Sequence, residues 1–213
     1  NELRATGRLH AASPEQVAQT YLRHMKRMEQ AVPSYFGRLP KARWAVSRLA
    51  PAMEAGMSYG YYEPPTAACP DGVYRYNGSR LDTRSQLSAA ALIFHELVPG
   101  HHFHLARQHE NAELPSIRRN SMELTAFTEG WAEYASALAG EMGLYDDPYD
   151  LYGRLVHERF VAQRLVVDTG LNLLGWPLER AGEYMAANTL EAPGQVATET
   201  LRYSTDLPAQ ALA

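Results

Sequence analysis

The run Phe94-His95-Glu96-Leu97-Val98-Pro99-Gly100-His101-His102-Phe103-His104 constrains the fold more than any other stretch of the chain. Proline has no backbone N–H, so Pro99 cannot donate the helical hydrogen bond to His95, and a regular helix does not pass through it. Gly100 admits dihedrals that other residues avoid. On an unbroken helix His95 and His101 would point about 240° apart. A bulge or kink at Pro99-Gly100 absorbs two residues and swings His101 back to the face of His95. His102 is the competitor. It regains that face without a bulge, but lies about 10 Å further along the axis. His101 is therefore the better-placed partner.

An adjacent His-Glu pair followed by a second histidine suits metal-assisted hydrolysis. In the pattern His-Glu-x-x-His, positions i and i+4 share a helix face, both imidazoles reach one metal, and the glutamate deprotonates its water. Here the i+4 position is Pro99, so the pattern holds only if the insertion is absorbed as described. Catalytic zinc sites need three protein ligands and one open position. The third is expected to be Glu129, in Thr125-Ala126-Phe127-Thr128-Glu129-Gly130-Trp131-Ala132-Glu133-Tyr134. This stretch reads as mid-helix, where an unpaired carboxylate among aromatic and small residues is costly. Gly130 is expected to admit a neighbouring helix closely. Glu133, one turn on, either fixes the tautomer of a ligand histidine or makes a surface ion pair. Glu123 points off that face, toward solvent. The expected site is thus His95, His101 and Glu129 on Zn2+, with Glu96 as general base. Zinc, over other divalent ions, rests on the His-His-Glu donor set. A plainer reading makes the four histidines a polar patch at a helix end. It leaves unexplained why His-Glu sits among apolar residues, where it is costly to bury unless paired.

Elsewhere, Ser13-Pro14-Glu15-Gln16 reads as a capped helix start. Val17, Tyr21, Met25, Met28 and Val32 follow at helical spacing, and Pro33 and Gly37 mark the end. Trp44-Ala45-Val46 and Val73–Asn77 read as short strands. The tyrosines between and within them (Tyr59, Tyr61, Tyr62, Tyr74 and Tyr76) form either a packing layer or a substrate-facing strand. A second capping box, Thr83-Arg84-Ser85-Gln86, is expected to open a helix that carries His95 about three turns later. Further helices are expected over 120–140, 148–170, 177–188 and up to about 203. The fold class is mainly α with a small antiparallel β element, in one domain over 1–213. The chain opens Asn1-Glu2-Leu3-Arg4 and stops at Ala213 without a polar tail, which suggests the C-terminal part of a longer protein. A net charge of −4 argues against nucleic acid as a partner. No apolar run is long enough for a membrane span. The single cysteine, Cys69, excludes an internal disulfide.

With these motifs in hand, the chain resembles the bacterial family catalogued as domain of unknown function 885. The likeness rests on His95-Glu96-x-x-Pro99-Gly100-His101-His102 and on Thr128-Glu129-Gly130-Trp131-Ala132-x-Tyr134. It also rests on Arg164-Leu165-Val166-Val167-Asp168-Thr169-Gly170-Leu171 with Gly175-Trp176, and on Arg202-Tyr203 with the segment 208–212. That family is distantly similar to helical zinc peptidases such as carboxypeptidase Taq and angiotensin-converting enzyme. The resemblance implies a zincin-like helical metallopeptidase catalytic domain and supports His101 as ligand. It further implies that Val73–Asn77 is an edge strand along which an extended peptide lies. Asn172 and His104 depart from the family's usual residues. Asn172 leaves no second histidine there to act on substrate.

The expected function is zinc-dependent hydrolysis of a peptide or small amide substrate, with Glu96 moving the proton from water to the leaving amine. Tyr203 and Arg202, and after them Arg164, are candidates for stabilising the oxyanion, against plain roles in packing and ion pairs. Asp168 is expected to cap a helix or pair with an arginine. Two rival readings are a hydrolase of a non-peptide amide and a binding protein that kept the fold and lost its chemistry. Composition and motifs assign no oligomeric state and no compartment.

Overall fold

The first helix begins as its sequence dictates. In the computed structural model, which describes residues 9–66, 68–120, 124–206, 208–209 and 211, α1 spans Pro14–Ala31. Ser13 Oγ accepts a hydrogen bond from the N–H of Gln16, and Pro14 fills the first helical position. Gln16 does not close the box on Ser13. Its side chain reaches one residue further back, to the N–H of Ala12 at 2.6 Å. Val17, Tyr21, Met25 and Met28 form the buried stripe of this helix, and Val32 continues it into a 3-10 turn over Val32–Ser34.

Three strands follow: β1 (Trp44–Arg48), β2 (Gly60–Glu63) and β3 (Gly72–Tyr76). Their order is β1-β3-β2, with β1 parallel and β2 antiparallel to β3. The sheet is therefore mixed, not the antiparallel element expected. The segment between β1 and β3 contains a 3-10 helix, Pro51–Gly56, and β2 itself. That is long enough for the crossover a parallel pair requires. β3 is the central strand, so the expectation that Val73–Asn77 forms an edge is incorrect. The edge on the β2 side is Gly60–Glu63.

The helix expected from Thr83 starts later, as α2 (Ala89–Glu96). Thr83 and Arg84 instead close a turn on the carbonyl of Arg80, whose φ is +52°. Ser85 bridges to His10, and the N–H of Gln86 bonds to the carbonyl of Leu9. Tertiary pairing thus overrides the capping signal. Next come α3 (His101–Glu110), the short α4 (Ser116–Asn120) and α5 (Thr125–Glu141), where one helix over 120–140 had been expected. Three helices complete the chain: α6 (Pro148–Asn172), α7 (Leu178–Asn188) and α8 (Pro193–Thr205).

Ala89, Ala90, Ala91, Ile93 and Phe94 of α2 are all buried. A helix apolar on every side belongs in a core, and α2 packs against α1, α5 and α6. Phe94 stands edge-to-face between Tyr145 and His24, at ring-centroid distances of 5.8 and 6.2 Å. Its burial contributes about 1.5–3 kcal/mol of transfer free energy. A second apolar cluster, with Phe160, Val167, Met185, Val196 and Tyr203, joins α6, α7 and α8. The element carrying His95 is thus held rigidly from three sides.

Candidate metal centre

The chain changes direction between α2 and α3 at the Pro-Gly pair. Leu97 caps α2 at φ −107° and ψ −108°, and Gly100 precedes α3 at φ −77° and ψ −129°. Trp131 of α5 donates its indole N–H to the carbonyl of Pro99 at 2.9 Å, satisfying a group that the helix break exposes. Gly100 sits so close to the end of α2 that a Cβ there would lie 1.8 Å from the carbonyl oxygen of His95. Glycine is needed here for close approach, not for a left-handed backbone.

This turn places His95 and His101 side by side, with ring centroids 4.7 Å apart and planes at 86°. His95 Nε2 is 3.4 Å from Glu129 Oε2, and His101 Nε2 is 3.7 Å from the same oxygen. These separations are too long for good hydrogen bonds. They match the edges of a coordination tetrahedron, since zinc–ligand bonds of 2.0–2.1 Å at tetrahedral angles put donor atoms about 3.3 Å apart. Donor atoms of His95, His101 and Glu129 lie within 4.8 Å of one another, as a group able to hold a metal ion. The structure thus brings the three expected ligands together. The site opens on a cleft of about 960 Å³ that Glu96 also lines.

Behind His95 stands a second group, of which only Glu133 was anticipated. Glu133 Oε1 is 2.9 Å from His95 Nδ1, a close contact without the alignment of a hydrogen bond, and 2.8 Å from His157 Nε2. Its other oxygen accepts from Arg154 at 3.0 Å. Glu133 therefore sets the orientation of His95, and His157 and Arg154 of α6 set that of Glu133. His95, Glu133 and His157 also satisfy the spacing of a metal-holding group. The Arg154 guanidinium already supplies positive charge there, which disfavours a second cation. Sequence reading missed His157 and Arg154 because their only signal is spatial, more than twenty residues from Glu133.

The electrostatics describe a place that favours a cation. Burial works against a charged His95, but Glu129, Glu133 and Glu96 outweigh it and raise its pKa to about 10. Burial, helped by the charge on His95, lowers His101 to about 3. Burial would raise Glu129 and Glu133, yet their histidine neighbours hold both carboxylates below the usual range. Glu96 makes no ion pair with a histidine among the described residues. Burial first, then Glu129 and Glu133 against the opposing pull of His95, bring it up to about 7.

His102 is placed elsewhere. It is fully buried, with Nδ1 2.9 Å from the Tyr62 hydroxyl and Nε2 3.1 Å from the carbonyl of Ala42. It ties α3 to β2 and to the approach to β1. Tyr62 also stacks on His101, with ring centroids 6.4 Å apart, so the aromatic strand serves as packing layer and cleft wall together. Gly130 does not mediate close helix packing as expected, because a Cβ there would meet nothing within 4 Å. Glu123 lies outside the described residues.

Tyr203 is buried in the second apolar cluster, and its hydroxyl donates to Glu199. Arg202 lines the cleft and holds the same Glu199 carboxylate at 3.0 Å. Asp168 pairs with no arginine among the described residues. It accepts from the Asn172 amide and from the N–H groups of Ala209 and Ala211, which pins the end of the chain against α6. Asn172 also donates to the carbonyl of Tyr203, a purely structural use of the position.

Fold and site together define a mainly helical protein with a small mixed sheet and a partly buried His-His-Glu cluster at the wall of a cleft. The chain belongs to the family described as "Bacterial protein of unknown function (DUF885)", whose model matches residues 1–213. No curated protein matches it. Among solved structures it is similar to one described as "the putative lipoprotein from Colwellia psychrerythraea", with 32% sequence identity and a TM-score of 0.90. The match covers 99% of this chain and 37% of that one, so the chain spans little more than a third of its relative's length.

Proposed function

We propose that this chain carries the zinc centre of a metallohydrolase with a zincin-like arrangement, and that it cleaves peptide bonds. The observation behind this reading is the convergence of His95 Nε2, His101 Nε2 and Glu129 Oε2 at 3.4 and 3.7 Å, on a cleft with room for an extended chain. His95, His101 and Glu129 would hold the ion. When bound, zinc acidifies a water molecule to a pKa of about 7 and polarises a carbonyl group.

The chain's own residues do the rest. Glu96 lies beside His95 on the cleft wall and is placed to take a proton from water and pass it to the leaving amine. Glu133, steadied by Arg154 and His157, keeps the His95 ring turned toward the cleft. β2, the edge strand with Tyr61 and Tyr62 on the cleft, offers the backbone along which a peptide can add as a strand. Tyr203 faces Glu199, so of the Arg202-Tyr203 pair only Arg202 borders the cleft.

Chelation tests this reading. Hydrolysis of a peptide library should be lost after treatment with a strong chelator and return on adding about one equivalent of zinc. Hydrolysis that persists in the metal-free protein would refute it.

A further inference from the structure

A side pocket opens from the cleft wall beside the proposed ligands. Tyr59, Leu92, His157 and Phe160 border both the cleft and this pocket, so they form its mouth. Leu92 precedes His95 by three residues on α2, about one turn and 4.5 Å along the axis. The His157 ring lies 6.2 Å from that of His95. A side chain that enters here therefore belongs to a residue beside the bond that the metal site would cleave. The pocket holds about 40 Å³, room for about three water-sized groups. That suits a terminal carboxamide and is too small for an aromatic ring.

The inner wall is polar, and its charges balance. Arg84 donates to the carbonyls of Ser79 and Ser58, and its guanidinium lies 5.5 Å from the centroid of the Tyr59 ring. Glu191, between α7 and α8, accepts from the Tyr59 hydroxyl at 2.9 Å. With a guanidinium and a carboxylate both on the wall, neither an entering cation nor an entering anion is favoured. Gln86 shares this wall. Its Oε1 is shut off from solvent and has no hydrogen-bond partner among the described residues. A buried acceptor left unmet is costly, and a donor on a ligand relieves it. The backbone of Gln86 is held on both sides, its N–H by the Leu9 carbonyl at 2.8 Å and its carbonyl by the Ala89 N–H at 3.0 Å. Its place in a capping box goes unused, because α2 starts three residues later. A primary carboxamide carries no charge and offers both donors and an acceptor, so it meets Gln86 amide to amide. A carboxylate brings only acceptors to Gln86 Oε1, and an ammonium group meets Arg84.

We propose that Gln86 reads the side chain of a residue flanking the scissile bond, and that this pocket selects the neutral carboxamide of glutamine or asparagine. This rests on the peptidase reading above and gives that site a side-chain preference.

The test uses matched peptides with glutamine, glutamate or methionine at one position, scanned on both sides of the cut, on the whole zinc-loaded chain. At one position wild type should favour glutamine over the other two by about 100-fold in kcat/KM, because a site built to hydrogen-bond a substrate group rejects analogues that lack it. Gln86→Leu should bring the glutamine-to-methionine ratio close to one. Equal cleavage of the three peptides at every position, or a glutamine preference that survives in Gln86→Leu, would overturn the proposal. The wild-type series decides by itself if Gln86→Leu folds poorly. Calorimetry with uncleavable glutamine and methionine analogues reads the same preference without turnover. If no peptide is cleaved with zinc bound, the peptidase reading fails. Equal calorimetric affinities would then overturn the pocket's role as well, whereas a glutamine preference lost in Gln86→Leu would uphold it.

Discussion

Glu96→Gln is expected to slow peptide hydrolysis by about 10²- to 10⁴-fold, the range for loss of a positioned general base, while zinc content and melting temperature stay near wild type. Glu96 neighbours the proposed ligand His95 but is not in the group that could hold the metal. It lines the cleft. Burial, then Glu129 and Glu133, push its pKa up to about 7 against His95. Glutamine keeps the shape and removes only the capacity to take up a proton. Single-turnover kinetics beside metal analysis check the outcome. Activity within tenfold of wild type would assign the base elsewhere.

Gly100→Ala is expected to cost about 3 kcal/mol or more of stability and to abolish tight zinc binding. The new Cβ would lie 1.8 Å from the His95 carbonyl oxygen and 2.5 Å from that of Phe94. Both belong to the backbone of α2, which α1, α5 and α6 fix in place, so rotamer changes do not relieve the clash. Overpacking of a rigid site costs about 1–3 kcal/mol and at times more, and here the strain falls between two proposed ligands. Gly130→Ala is the control. Nothing lies within 4 Å of its Cβ, and alanine for glycine within a helix gains about 0.5–1 kcal/mol. Stability to urea and zinc affinity should therefore both fall for Gly100→Ala and change little or favourably for Gly130→Ala. Similar losses in both would refute a special role for the Pro-Gly junction.

The candidate site was legible because its signals are local. Pro99 forbids a straight helix, and that single fact separates His101 from His102. Glu129 was legible as a carboxylate within an apolar helical stretch. The helices after 140 were legible from periodicity to within a few residues. What sequence could not supply was partner choice. The pairing of β1 with β3 depends on a crossover whose geometry no local pattern records. The start of α2 is set by Leu9 and His10, distant in sequence from Gln86 and Ser85. Tyr203 reads from sequence as a hydroxyl available for chemistry, but Glu199, four residues earlier, occupies it. Support for Glu133 came from α6, through Arg154 and His157, which a reading of α5 alone cannot reveal.

Elemental analysis of bound metal on wild type, His101→Ala, His102→Ala and Glu129→Ala tests the central claim most directly. Near one zinc per chain is expected in wild type and in His102→Ala. The latter should be less stable by about 1–3 kcal/mol, because Tyr62 and the Ala42 carbonyl lose their buried partner. His101→Ala and Glu129→Ala should lose most of the metal. Wild-type protein that takes up no zinc, or zinc that leaves with His102 and stays with His101, would contradict the assignment.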